Sequence, residues 1–406
     1  MSHNPALQGM IDEARAVTCE EWLTREGLIG SGKGSIRKSG HNLTGPCPSC
    51  GGDDRFGVNT ADDKWLCRHC GIGGNDAISM VILLDRWPLK GKTYGECFIE
   101  ACEVITGRKR TEVMSEAEAA DRAAELAKKK AKQVEEGERR RQESIASARK
   151  LWDRTSPAGE TIARYLVARG IECDVSRLVT VHQLDTLDYW HDLAPAGSKR
   201  PDMQVIHKGP AMVAVILDSA GKFCGVHRTW LDANGKKGKA VIVKPGPEPE
   251  ALDSKKVLGS MADGAIRLVT PRDAAGNITA TRMVVGEGIE TTLTPYVAEG
   301  RADTAYWCAI TMGHMAGRAG KDADTGRRDE AEPDMADTKC FLVPEWVKEL
   351  VLLGDGDSDA AKTKAAMTRA AKRAKRLHPG IKVRIAWPGI RGDFNDLAME
   401  EGKTDD

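Results

Sequence analysis

No apolar run in this chain approaches the length of a membrane span, and the opening residues Met1 to Asp12 are polar rather than signal-like. A cytoplasmic protein with no membrane partner is expected. Net charge is also missing: 60 Lys and Arg balance 60 Asp and Glu. Any phosphate-binding face must therefore be a local cluster. A nucleotide P-loop is lacking as well. Gly27-x4-Gly32-Lys33 begins like one, but Gly34 stands where Ser or Thr would hold magnesium and no strand precedes it. What remains is a chain of 406 residues, long enough for two or three domains.

Eleven cysteines are present, and in a reducing compartment paired spacing points to metal rather than disulfides. Cys47-Pro-Ser-Cys50 and Cys67-Arg-His-Cys70 are separated by 16 residues, within the range of a four-thiolate zinc site. His69 lies inside the second knuckle, so a three-cysteine, one-histidine set stays open. Arg55-Phe56-Gly57-Val58 and Lys64-Trp65-Leu66 read as the strands between the knuckles. Such a site is structural, and its function lies in what it displays. Arg55, Phe56, Lys64, Trp65 and Arg68 combine cations and aromatics suited to single-stranded nucleic acid, with Arg55 and Trp65 the leading template contacts. For the two aromatics, packing of the ribbon's small core is an equal alternative.

Residues 76–106 read as helices covering the ribbon through Ile78, Val81, Ile82, Leu83 and Leu84. From Glu112 to Lys150 the composition turns to Ala, Glu, Lys and Arg without sustained heptad hydrophobics, which predicts a charged helical linker. Beyond it, Ala211 to Leu217 and Phe223 to Leu231 flank a Ser219-Ala220-Gly221 turn and read as a hairpin. This region carries His227-Arg228, Lys236-Lys237, Lys239, Lys244 and Lys255-Lys256, cations suited to triphosphates or a template backbone.

From residue 282 strands and helices alternate, which predicts a parallel sheet covered by helices. Two of its apolar runs stop in carboxylates: Val284-Val285-Gly286-Glu287 and Leu352-Leu353-Gly354-Asp355-Gly356-Asp357. Neighbouring strands ending this way put acidic oxygens together at the carboxyl edge of the sheet, where hard divalent cations bind. The helix from Ser358 places Ala366, Ala370, Ala371, Ala374 and Leu377 on one side and Arg369, Arg373 and other cations largely elsewhere, a surface open to phosphate or solvent. Residues 312–345 read as an inserted polar loop.

Glu287-Gly288 after one strand, Asp355-Gly356-Asp357 after a second and Gly392-Asp393-Phe394-Asn395-Asp396 after a third resemble the Toprim domain of bacterial and phage primases. Cys-Pro-x-Cys-Gly-Gly-x-Asp-Arg-Phe resembles the zinc-binding domain of phage and plasmid primases. The resemblance covers roughly 40–80 and 205–400. It implies a multidomain α/β protein: a zinc-ribbon domain over 1–110, a charged helical linker over 111–150, a basic α+β part of the catalytic core over 151–281, a Toprim-like parallel α/β sheet over 282–400, and a tail over 401–406.

The activity implied is a DNA primase, a nucleotidyltransferase making short RNA primers on single-stranded DNA from nucleoside triphosphates in a bacterial host cytoplasm. Structural zinc would sit on the four cysteines. Catalytic magnesium or manganese would sit on Glu287, Asp355 and Asp357, with Asp393 and Asp396 as a later acidic motif. Gly225-Val226-His227-Arg228-Thr229 and Lys256-Val257-Leu258-Gly259 resemble basic motifs of the primase core, which implicates Arg228 and Lys256, with Lys255 beside them.

Two departures matter. Thr291 stands where the cellular replicative primases carry an aspartate, and the sequence leaves open whether the adjacent Glu290 supplies that carboxylate. Without a P-loop, a replicative helicase is expected to be a separate partner. The alternatives are a Toprim-type nuclease using the same carboxylates, or a non-catalytic nucleic-acid-binding replication protein. A topoisomerase would need a nucleophilic tyrosine, and none of the five tyrosines lies in such a motif.

Overall fold

The computed structural model describes residues 5–30, 34–39, 42–60, 63–85, 92–109, 116–194, 202–232, 234–235, 238–246, 250–321, 328–356, 360–389 and 392–401. The chain forms two compact units, Met1–Gly137 with Trp190–Val205, and Glu138–Tyr189 with Ile206–Asp406. Asp357 lies outside the described residues, as do Gly32 and Lys33 of the P-loop-like stretch and Lys236-Lys237.

The first unit opens with helices α1 (Pro5–Arg15) and α2 (Cys19–Arg25). A capping box starts α2, the Glu21 amide donating to the Thr18 hydroxyl and the Thr18 amide to the Glu21 carboxylate. Five short strands follow, β1 (Arg37–Ser39), β2 (Asn42–Cys47), β3 (Gly51–Asn59), β4 (Lys64–Cys67) and β5 (Ile72–Gly74), paired antiparallel in chain order. Helices α3 (Ala77–Asp85) and α4 (Tyr94–Thr106) complete the unit's core, in which Phe56, Val58 and Trp65 of the ribbon are buried together with Trp22, Leu23 and Ile78. Helix α5 (Glu116–Trp152) is polar along most of its length, and near its end Ala148 and Leu151 pack in the second unit.

That unit is built on two five-stranded sheets. The first, in the order β12-β9-β8-β7-β6, comprises β6 (Ser156–Pro157), β7 (Val181–Asp192), β8 (Met203–Leu217), β9 (Phe223–Trp230) and β12 (Lys255–Gly259). Between β9 and β12, β10 (Ile242–Lys244) pairs with β11 (Glu250–Leu252). Because side chains alternate along a strand, the sheet buries two different sets. Met212, Ala214 and Val257 join Ile162, Tyr165 and Leu166 of α6 (Glu160–Val167) on one side, while Val213, Val226 and Trp230 join Ala148 and Leu151 of α5 on the other.

The second sheet has the order β13-β15-β14-β18-β19, from β13 (Ile266–Val269), β14 (Arg282–Gly286), β15 (Thr304–Cys308), β18 (Glu349–Leu353) and β19 (Lys382–Ala386). The last four strands are mutually parallel and β13 runs antiparallel at the edge. Helix α7 (Ile289–Glu299) connects β14 to β15, and α9 (Ala360–Leu377) connects β18 to β19. Burial on both faces explains the near-continuous apolar runs. Met283, Val285, Leu350 and Leu352 pack with Met367 and Ala370 of α9, while Val284 and Val351 meet Tyr296 of α7 and Phe394 of α10 (Phe394–Glu401).

Two expectations need correction here. Residues 312–345 are more than a loop: α8 (Met312–Ala316) and the paired β16 (Ala319–Lys321) and β17 (Arg328–Pro333) pack on α9. Nor do Arg369 and Arg373 form an outward cationic surface. Both are buried, Arg369 Nε donating to the Gly317 carbonyl and Arg373 Nη1 to the Asp337 carbonyl, each at 2.9 Å. Their guanidinium forks satisfy carbonyls of the insertion, and Glu330 Oε2 lies 3.8 Å from Arg369 Nη1.

Candidate active site and metal centre

Glu287 directly follows β14, and Asp355 follows β18 by one residue. The register pairs Val285 with Leu352 on adjacent parallel strands, so both carboxylates leave the same edge of the sheet. Each run ends in a glycine because a side chain would collide there: a Cβ at Gly286 would lie 2.5 Å from the Thr292 hydroxyl, and one at Gly354 2.5 Å from the Trp387 ring. Burial, and then the Asp355 charge, raise the Glu287 carboxyl above its ordinary value. Asp393 adds to that effect, and the Met312 amide and Lys255 oppose it. A hard divalent cation would relieve this repulsion, although the oxygens of Glu287, Asp355 and Asp393 do not all lie within 4.8 Å of one another.

Asp393 joins the group from the loop before α10. Its Oδ1 accepts the Asp396 amide at 2.9 Å and its Oδ2 accepts the Thr291 hydroxyl at 2.7 Å. A 3.0 Å bond from the Gly356 amide to the Gly392 carbonyl ties its loop to that of Asp355. Asp396 lies in the first turn of α10, its side chain 3.1 Å from where a Cβ at Gly392 would stand.

Glu290 does not join these carboxylates. It is 2% exposed, and its Oε1 accepts the Tyr165 hydroxyl and lies 3.3 Å from Lys239 Nζ, while Oε2 lies 3.4 Å from Lys255 Nζ. Burial alone would raise this carboxyl; Lys255, Lys239 and the tyrosine hydroxyl instead hold it well below the usual carboxylate range.

A cavity of about 240 Å³ is lined by Glu287, Cys308, Ile310 and Thr311 and, from the basic sheet and the turn before it, by His227, Asp253 and Lys255. Strand register decides which cations face it. Arg228 pairs with Lys256, His227 with Val257 and Thr229 with Lys255 across β9 and β12. Lys255 and His227 therefore share one face of the sheet, and Lys256 and Arg228 share the other. There Lys256 Nζ sits 3.6 Å from the Tyr189 ring centroid and Arg228 Cζ 5.3 Å from that of Trp230. Lys256 borders the cavity, but its ammonium is over the tyrosine. Burial lowers the Arg228 guanidinium to about 10.

His227 is 9% exposed and its Nδ1 makes no hydrogen bond. Burial, reinforced by Lys255, lowers its pKa to about 4, so it is neutral at neutral pH. Neither Tyr165 nor the exchange of Glu290 for a lysine clamp carries a motif in the sequence. The split between Lys255 and Lys256, in contrast, follows from the alternation of a strand.

In the ribbon, the Sγ atoms of Cys47, Cys50, Cys67 and Cys70 lie within 4.8 Å of one another, and those of Cys50 and Cys67 are 3.7 Å apart. Tetrahedral zinc with Zn–S bonds of about 2.3 Å requires S···S separations of about 3.8 Å, so the four thiols fit the ion. The Cys70 amide points at Cys67 Sγ at 3.3 Å and the Ser49 amide at Cys47 Sγ at 3.4 Å. Burial opposes ionisation of Cys67, but the Cys70 amide and the neighbouring thiols bring it down to about 7. His69 is exposed and outside the cluster.

Trp65 and Phe56 are not template-stacking residues in this structure. They are 3% and 0% exposed, their rings 5.9 Å apart, and Trp65 Nε1 donates to the Ser79 hydroxyl at 3.2 Å. Alternation turns Lys64, Leu66 and Arg68 outward instead, with Arg55 half-buried beside them, its carbonyl accepting the Arg68 amide at 2.8 Å.

Residues 142–268 match a family model described as a domain of unknown function, DUF7146. That segment holds His227, Lys239 and Lys255 and stops short of the acidic strand ends. No curated protein matches the chain. Among solved structures, it is similar to the Aquifex aeolicus primase (zinc-binding and RNA polymerase domains), at 15% identity over 99% of this chain and 84% of that one, with a TM-score of 0.32. It is similar to the primase fragment of the bacteriophage T7 primase-helicase protein at 14% identity over 89% and 97%, TM-score 0.31. A DNA primase domain from Pseudomonas aeruginosa is similar at 16% identity over 60% and 69%, TM-score 0.34.

Proposed function

We propose that this chain is a DNA primase that joins ribonucleotides into short primers on single-stranded DNA. The observation that carries this reading is that Glu287 and Asp355 leave the same edge of the parallel strands, with the charge of Asp393 acting on Glu287, beside a cavity that Lys255 also lines. In this reading residues 1–110 form the template-binding ribbon domain, 111–150 the linker, 151–281 the basic half of the core and 282–400 a Toprim-like metal-binding domain.

Magnesium or manganese held by Glu287 and Asp355, with Asp357 as a further ligand, would stabilise the attacking hydroxyl and the leaving pyrophosphate. The chain's own residues do the positioning. Thr291 and the Asp396 amide fix the Asp393 carboxylate, and Asp396 belongs to the same acidic turn. Lys255 supplies positive charge opposite Glu287, where a triphosphate would gather negative charge. Arg228 and Lys256, on the other face of their sheet, suit a strand backbone better than the cavity. The ribbon, closed by zinc, presents Lys64, Arg68 and Arg55 to the template, and a separate helicase would supply unwound DNA.

The test is incubation of the protein with single-stranded DNA, labelled ribonucleotides and magnesium or manganese. Short labelled oligomers that disappear in Asp355→Ala are expected. DNA shortened without label incorporation would replace this reading with a nuclease.

A further inference from the structure

Glu290 lies three residues beyond Glu287 and is the carboxylate the sequence offers in place of the aspartate absent at Thr291. A metal ligand needs an oxygen turned towards the ion, and both Glu290 oxygens are committed elsewhere. Oε1 takes the Tyr165 hydroxyl and Lys239, and Oε2 takes Lys255. The three partners come from α6, the segment after β9 and the start of β12, so one buried anion ties the basic sheet to the first turn of α7.

Charge and exposure indicate what this arrangement serves. Within the cluster two ammonium groups face one carboxylate, and the charge of Lys255 also acts on Glu287 across the cavity. The carboxylate is 3% exposed, whereas the Lys255 side chain is 29% exposed and borders the cavity opposite Glu287. Its ammonium is thus anchored by Glu290 while part of the side chain reaches the cavity. His227, buried and with an unpartnered Nδ1, lines the same cavity. A cation and an imidazole lining a half-open cavity match an anionic group with its own donors and acceptors. A phosphate of a nucleotide fits this description and a cavity of about 240 Å³.

We infer that Glu290 is a positioning residue and not a metal ligand: with Tyr165 and Lys239 it holds Lys255 in place to bind a phosphate of the incoming nucleoside triphosphate. The inference rests on the nucleotidyl-transfer reading for the identity of the ligand, but it is tested without primer synthesis. Mn2+ binding is followed by the loss of its free-ion paramagnetic resonance signal, and Mg-ATP binding by titration calorimetry, on the full chain.

Glu290→Gln is expected to leave Mn2+ affinity within about twofold of wild type and to weaken ATP binding about tenfold, the cost of loosening one charged contact. Lys255→Met should weaken ATP equally, and the double variant no further, since both changes remove one interaction. Tyr165→Phe, which keeps both ion pairs, is the fallback if Glu290→Gln does not fold; it should weaken ATP binding less and leave Mn2+ binding unchanged. In the primer assay, Glu290→Gln should raise the nucleotide KM and leave kcat nearly unchanged. Weakened Mn2+ binding with intact ATP binding in Glu290→Gln would overturn the inference, as would additive losses in the double variant. If the wild type binds Mn2+ and ATP in this pattern yet makes no primer, the primase reading fails and the role of Glu290 stands.

Discussion

The Thr291 hydroxyl donates a 2.7 Å hydrogen bond to Asp393 Oδ2, joining the first turn of α7 to the loop that precedes α10. Thr291 occupies a position where a carboxylate was expected from the primase resemblance, and here it orients a carboxylate supplied from elsewhere in the chain. Thr291→Val keeps the shape and removes the donor. Loss of such an outer hydrogen bond typically weakens metal binding about tenfold or more. Mn2+ titration should show that loss in Thr291→Val and recovery in Thr291→Ser; equal affinity in the valine variant would remove Thr291 from the site.

His227 gives a pH signature. The fold keeps it neutral down to about 4, whereas its unperturbed value is 6.5. Below that value the unfolded chain binds a proton that the folded chain refuses, so stability falls on acidification through this window and levels off near the folded value. The difference corresponds to about 3 kcal/mol. Denaturant titrations at several pH values should show His227→Leu with a flatter acid limb than wild type by about that amount. Parallel profiles would mean that the imidazole is solvated or paired.

Zinc should be part of the first unit's stability. Structural zinc contributes on the order of 10 kcal/mol to small domains that depend on it. Chelation, or Cys67→Ser, is therefore expected to abolish stoichiometric zinc in elemental analysis and expose the buried Trp65, with a red shift of tryptophan fluorescence. Zinc retained at one equivalent in Cys67→Ser would contradict the four-thiolate site.

The ribbon separates stability from binding. Trp65→Ala removes a buried indole and should cost about 3–5 kcal/mol. Arg68→Ala, on the exposed side, should change stability by no more than about 0.5 kcal/mol. If that side contacts the template, Arg68→Ala should weaken single-stranded DNA binding and reduce its salt dependence by about one ion. Fluorescence anisotropy at several salt concentrations reads both effects, and unchanged DNA affinity in Arg68→Ala would move the template face elsewhere.

Much of this architecture is legible in sequence because it is local. The cysteine spacing specifies a cluster whose four sulfurs do meet, and two apolar runs ending in Gly-Glu and Gly-Asp become adjacent parallel strands. Long-range partners are less legible. Nothing near Glu290 names Tyr165, Lys239 and Lys255 as its partners, because these contacts depend on how the antiparallel sheet and α6 pack on α7. Arg369 and Arg373 read as solvent-facing because the carbonyls that bury them belong to an insertion with a weak periodic pattern. The role of Trp65 was ambiguous for a different reason: an aromatic on a short ribbon fits a core and a stacking platform equally until its burial is known.

Template copying is the central claim, and the sequence of the product tests it most directly. Wild-type protein given single-stranded DNA of known sequence, four ribonucleotides and magnesium or manganese should yield short RNA complementary to that DNA. Neither Glu287→Gln nor Cys67→Ser should do so. RNA unrelated to the template, RNA made without DNA, or DNA cut in place of RNA made would contradict it.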